Sequence, residues 1–285
     1  MIIHGGRSRL APTPSGYLHA GNAFNFLVTA LLAEHFSSTL VLRIDDIDAE
    51  RIRPEYVEDI FRSMEWLGIR ADDGPSGPEE LYRTWSQVHR MPRYVELFDA
   101  LKRQGHLYPC VCSRAEMAER VSRCAPHSCR TDPPAQVPGG TPWRLSIPRP
   151  CPSTLLDLQG RVDEHNLAVM MEDPIVLVRG TGRPAYQLVS LMDDVDMDIT
   201  FIVRGADLLP SSVCQSHMAE RAGLEAFREV RFLHHPLTTG PDGRKLSKSA
   251  GASSLCAMRE SGGSPDVLRQ EAERYVDELL GSFNA

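Results

Sequence analysis

A chain of 285 residues with 42% hydrophobic and 24% charged residues has the composition of a globular protein, long enough for one large α/β domain or two modest ones. Its net charge of -7 provides no overall attraction to nucleic acid, so any contact with RNA has to come from a local basic patch. The longest apolar run, Phe26 to Ala33, is broken by Thr29 and too short for a bilayer, and no leader-like segment opens the chain, which predicts a soluble cytoplasmic protein with no membrane partner.

Arg7 to Ala11 reads as a short strand, followed by the turn-rich Pro12-Thr13-Pro14-Ser15-Gly16 and then by a helix over Asn22 to Phe36, with Phe24, Leu27, Leu31 and Leu32 at helical spacing. Thr39 to Asp45 reads as a buried strand ending in the acidic run Asp45-Asp46-Ile47-Asp48. Strand, helix, strand in that order predicts a parallel sheet with a right-handed crossover. Helices are expected over Pro54 to Leu67 and Met91 to Gln104. From His106 to about Pro152 the chain turns to cysteine, proline and arginine without periodicity, the pattern of an inserted module held by something other than a hydrophobic core. Regular structure resumes with a strand over Ile175 to Arg179, a helix over Tyr186 to Met192 and a strand over Ile199 to Val203. The expected organisation is a Rossmann-like α/β core in two halves, 1–105 and 181–285, split by an insertion over 106–180.

Two segments carry chemistry. Pro12 to Asn22 lies between a strand and a helix N-terminus, where unpaired backbone N–H groups favour phosphate; His19 adds a donor and Gly21 lacks a Cβ that would hold a flat ligand away. Gly240-Pro241-Asp242-Gly243-Arg244-Lys245-Leu246-Ser247-Lys248-Ser249 puts two lysines and two hydroxyls in a glycine-flanked loop suited to a developing pyrophosphate charge. Taken singly, the first is a tight turn and the second a solvated basic loop. Together they resemble the HIGH and KMSKS signatures of class I aminoacyl-tRNA synthetases, here at His19 to Asn22 and Lys245 to Ser249, in the right order and separation. Arg9-Leu10-Ala11-Pro12, Leu42 to Asp48, Pro184 to Leu188 and Val203 to Leu209 resemble the glutamyl branch, so the likeness runs from about Arg9 to Ala252.

The resemblance implies ATP with Mg2+ as cofactor, bound by His19, Gly21, Asn22, Lys245, Ser247 and Lys248, with His19, Lys245 and Lys248 stabilising the charge that develops during adenylate formation. It implies glutamate as substrate, its side-chain carboxylate gripped by Arg9, with Arg204, Tyr186, Ala11 and Thr13 completing the pocket. A guanidinium fork is the natural partner of a carboxylate. Asp45 stands where the family has a glutamate that reaches the α-ammonium; the shorter side chain means a closer substrate, a bridging water or a different preferred amino acid.

The seven cysteines include a cluster, Cys110, Cys112, Cys124 and Cys129, and without a secretory signal metal binding suits it better than disulfides. Short relatives bind structural zinc here through a Cys-x-Cys pair, a tyrosine and a third cysteine. Ala125 occupies the tyrosine position, leaving Cys124 or His127 to complete a tetrahedral site with Cys110, Cys112 and Cys129. Arg114, Arg120, Arg123 and Arg130 make the same stretch a plausible phosphate patch. Only 36 residues follow the second signature, so no anticodon-binding domain is expected. In relatives of this length the acceptor is queuosine within tRNA(Asp), and a monomer is the family expectation. The competing readings are an adenylate-forming ligase with another amino acid or acceptor, motivated by Asp45 and the altered cysteine set, and an inactive RNA-binding paralogue, which the intact signatures oppose.

Overall fold

The loop between the first strand and the first helix is fixed from both sides in the computed structural model, which describes residues 4–48, 50–113, 115–117, 128–134, 140–177, 182–237 and 254–283. Strand β1 (Arg7–Leu10) pairs in parallel with β2 (Thr39–Leu42), Leu10 opposite Leu42. Helix α1 (Ala20–His35) connects them and buries Phe24, Leu27, Val28 and Leu32, the spacing of one helical face. Its first turn is closed by Asn22 Oδ1, which accepts the His19 N–H at 3.0 Å. The strand expected through Asp45 ends at Leu42. Even so, the N–H groups of Arg43 and Asp45 donate to the carbonyls of Leu10 and Pro12, both at 2.9 Å, so this stretch stays beside the loop.

Helix α2 (Pro54–Leu67) has the bounds the sequence predicts, opened by Pro54 and ended by Gly68, whose φ of 67° lies in the left-handed region. Helix α3 (Met91–Arg103) is followed by β3 (Leu107–Pro109), β4 (Trp143–Leu145), the hairpin β5 (Pro152–Asp157) and β6 (Val162–Asn166), and β7 (Ile175–Leu177). Then come α4 (Tyr186–Asp196), β8 (Phe201–Gly205), α5 (Leu209–Ala222), β9 (Arg231–His235), α6 (Leu255–Glu260) and α7 (Asp266–Ser282). Strands β3, β4 and β7 form one antiparallel sheet; β6, β5, β9 and β8 lie side by side in another, with β9 parallel to both its neighbours. Strand β1 lies beside β8: Ser8 Oγ donates to the Phe201 carbonyl and Thr200 N to that of Arg7, both at 2.9 Å.

Two large apolar clusters account for most of the core among the described residues. One packs α1 and α2 against β1 and β2; the other packs α3, α4 and α5 together. The second also takes in Leu107, Leu145, Ile147 and Val176. The middle segment is therefore seated on a hydrophobic core, contrary to the expectation from its composition: short strands bury one or two residues each, too few for a periodic signal. The β5–β6 hairpin, which falls within 106–180, hydrogen-bonds through β5 to β9. Among the described residues no helix is long and apolar enough to cross a membrane.

Candidate functional site

Above the loop that follows β1 lies an open cavity of about 690 Å³. Its walls include all six residues expected of an amino-acid pocket, Arg9, Ala11, Thr13, Asp45, Tyr186 and Arg204, and three expected at the nucleotide, His19, Gly21 and Asn22. These come from β1, its loop, the N-terminus of α1, the end of the β2 stretch, the start of α4 and the end of β8. Lys245, Ser247 and Lys248 lie outside the described residues, as do Cys124, His127, Arg114, Arg120 and Arg123.

The floor of the cavity is a buried charge network. Arg9 Nε donates to Asp194 Oδ1 at 2.9 Å, and Arg43 Nη1 donates to the same oxygen at 2.6 Å. Arg43 also grips Asp45, with Nε to Oδ1 at 2.7 Å and Nη2 to Oδ2 at 3.3 Å, while Gln87 Nε2 adds a contact to Oδ1 at 3.3 Å. Both oxygens of Asp45 thus have partners inside the protein, and the carboxylate that the sequence resemblance assigns to a substrate ammonium is engaged by Arg43. Burial raises the Asp45 carboxyl above its ordinary value despite this guanidinium. Asp194 is subject to the same desolvation, but Arg9, Arg43 and Arg204 outweigh it and keep its carboxyl low. Asp193 is held by the hydroxyl of Tyr94 at 2.6 Å, Gln87 Nε2 at 2.8 Å and Arg90 Nε at 2.8 Å.

Arg204 is anchored at one end. Its Nη1 donates to Gln215 Oε1 at 3.0 Å and Ser212 Oγ at 3.3 Å, whereas its buried Nε and Nη2 have no hydrogen-bond partner among the described residues. Unpaired buried donors on a cavity wall are a site for an anion. Ser212 Oγ lies 2.7 Å from His234 Nε2, and burial, with Arg204, His165 and His235 nearby, lowers His234 to about 4. On the nucleotide side, His235 Nε2 lies 3.1 Å from the Asn25 amide, and both line the cavity.

Sequence reasoning missed Arg43, Gln87, Asp193 and Asp194 as site residues. The signal was present: Tyr186, Ser190, Asp193 and Asp194 form a polar stripe at i, i+4, i+7 and i+8 on a helix that also buries the apolar Leu188, Val189, Leu191 and Met192.

Farther off, the sulfurs of Cys110, Cys112 and Cys129 lie within 4.8 Å of one another, with Cys112 and Cys129 at 3.8 Å. A tetrahedral ion bonded to sulfur at about 2.3 Å puts its ligands about 3.8 Å apart, so the triad fits three corners of a zinc site. Burial and the adjacent thiols push Cys112 up to about 12, and a divalent cation would supply the charge that lets the three ionise together. Arg144 Nε donates to Cys110 Sγ at 3.2 Å. Arg130, expected in a phosphate patch, is instead spent on Asp173, its Nε 2.6 Å from Oδ2.

The family model described as tRNA synthetases class I (E and Q), catalytic domain, matches residues 7–135 and 141–275. The chain belongs to this family. Among class I synthetase relatives it is 35% identical to glutamate–tRNA ligase 1 of Gluconacetobacter diazotrophicus, over 92% of this chain and 55% of that one. It is also 35% identical to the glutamyl-Q tRNA(Asp) synthetase of Symbiobacterium thermophilum, over 91% of this chain and 83% of that one. The chain spans about half the length of the glutamate–tRNA ligases it matches. The crystal structure of glutamate–tRNA synthetase from Elizabethkingia anophelis superposes with a TM-score of 0.70 at 23% identity, covering 90% of this chain, which places the chain in the class I synthetase α/β catalytic fold.

Proposed function

We propose that this class I synthetase domain activates glutamate with ATP and passes the glutamyl group to queuosine in tRNA(Asp). The observation that carries the first step is the pairing, in one cavity, of Arg9 and Arg204, the latter with unpaired buried donors, beside the N-terminus of α1 at His19 to Asn22. The guanidinia suit the side-chain carboxylate of a dicarboxylic amino acid, and the helix N-terminus suits the phosphates. Tyr186, Ala11 and Thr13 bound the amino acid. An α-carboxylate oxygen attacks the α-phosphorus of ATP, the bond to the bridging oxygen breaks, and pyrophosphate leaves, its charge met by His19, Lys245, Ser247 and Lys248; Mg2+ brought with ATP would add to that charge stabilisation. Positioning and charge stabilisation suffice, with no covalent enzyme intermediate.

A second cavity of about 820 Å³ shares Thr13, Asp45 and Tyr186 with the first and gives an acceptor a way to the adenylate. The queuosine reading is supported by the 35% identity to the glutamyl-Q tRNA(Asp) synthetase of Symbiobacterium thermophilum. Zinc on Cys110, Cys112 and Cys129, with Cys124 or His127 as fourth ligand, braces the segment over 106–180 as a structural ion. In this reading the enzyme works as a cytoplasmic monomer. The grip of Arg43 on Asp45 favours one alternative, an amino acid other than glutamate.

Transfer of labelled glutamate to tRNA(Asp) with and without queuosine, and to tRNA(Glu), tests the acceptor. Labelling confined to queuosine-containing tRNA(Asp) is expected; labelling of tRNA(Glu) in its place would overturn the acceptor assignment and leave the activation step standing.

A further inference from the structure

Asp194, on the polar stripe of α4, is 0% exposed and makes no contact that the activation chemistry requires. Its Oδ1 accepts from Arg9 Nε and Arg43 Nη1, and its Oδ2 lies 3.9 Å from Arg204 Nη2. This contact uses the Nε–H of Arg9 and leaves its two terminal amino groups without a hydrogen bond among the described residues, on a side chain that lines the cavity. Arg204, fixed at Nη1 by Gln215 and Ser212, has the carboxylate of Asp194 drawing on its other end.

We propose that Asp194 is a positioning residue that aims both pocket guanidinia at one point, so that the site accepts a side-chain carboxylate and rejects the corresponding amide. The inference rests on reading this cavity as the amino-acid pocket. Donors converging from two arginines match a group that only accepts hydrogen bonds, and an amide would turn its own N–H donors toward them. Asparagine at position 194 keeps one acceptor for Arg9 but can set an amide nitrogen against Arg204, donor to donor, which turns that guanidinium off its line.

The direction of the effect separates aim from charge. Beneath the cavity Arg9, Arg43 and Arg204 face Asp45 and Asp194, while Asp193 lies between Arg43 and Arg90. Removing one negative charge would tighten binding of an anionic substrate if Asp194 only balanced charge, and weaken it if Asp194 sets the arginines.

The experiment is ATP–pyrophosphate exchange on the full chain with glutamate and with glutamine, comparing wild type, Asp194→Asn and Asp59→Asn. Asp59 on α2 is also buried and accepts from Arg259 Nη2 at 2.6 Å and Ser63 Oγ at 3.3 Å, away from the cavity, so it reports structural loss alone. Asp194→Asn is expected to raise KM for glutamate about tenfold, keep kcat within about threefold, and lower the glutamate-to-glutamine ratio of kcat/KM about tenfold. Asp59→Asn should leave KM and that ratio as in the wild type. An unchanged or lower KM in Asp194→Asn, or the same shift in Asp59→Asn, would overturn the positioning role while the wild type still supports the pocket reading. Absence of exchange by the wild type with any amino acid would overturn both. If Asp194→Asn does not fold, Asp194→Glu, which keeps the charge but shifts the carboxylate by one methylene, carries the same expectation for KM and for the ratio, and an unchanged KM there would overturn the positioning role.

Discussion

At the scale of single residues, His234 sets the pH response. Its folded value near 4 lies below the ordinary 6.5, so the unfolded chain takes up a proton as pH falls through 6.5 while the folded chain stays neutral until about 4. Stability supplied by the neutral ring is complete above pH 6.5 and is lost across that window, by about 3 kcal/mol. Thermal unfolding of wild type should therefore show a falling Tm between pH 7 and 4.5, and His234→Asn should flatten that slope. Arg204→Gln should raise KM for glutamate by about tenfold or more in pyrophosphate exchange, because the unpaired donors on the cavity wall disappear. Arg9, Arg204, Asp45 and Tyr186 were legible in the sequence because framing motifs mark them. Asp194 was not, because its role comes from where α4 packs, and no word in the chain says which arginines lie against it.

At the scale of elements, a buried hydrogen bond ties α3 to α4 through the Tyr94 hydroxyl and Asp193. Tyr94→Phe should cost about 1–3 kcal/mol in denaturant unfolding, since a buried carboxylate oxygen loses a partner. The thiol triad makes a further prediction: the purified protein carries about one zinc per chain, and Cys110→Ser or prolonged chelation lowers both zinc content and Tm. Zinc content unaffected by Cys110→Ser would remove the triad from metal binding. Helices α2 and α3 were legible because their apolar residues repeat at helical spacing. Helix α5 gave no such signal, since it buries Ser212 and Gln215 against Arg204 and His217 against Cys151 along with Val213, Cys214 and Met218, and these buried polar residues erase the periodicity. Strand β6, Val162–Asn166, is almost wholly polar and exists by pairing with β5, a contact that no local pattern announces.

At the scale of the whole molecule, motifs nearly two hundred residues apart in sequence converge on one cavity. Arg9 on β1 and Arg204 on β8 meet because those strands run side by side, as the Ser8 and Thr200 hydrogen bonds record. A parallel α/β arrangement was legible from the strand, helix, strand order. The return of the β5–β6 hairpin to β9 was not, because long-range pairing depends on the assembled core rather than on the strand itself. The central claim is that this assembled cavity activates glutamate. The most direct measurement is ATP–pyrophosphate exchange with each of the twenty amino acids and no tRNA. Exchange with glutamate alone is the predicted result; exchange with a different amino acid and none with glutamate would contradict the account and make the Arg43–Asp45 pair the starting point for the true substrate.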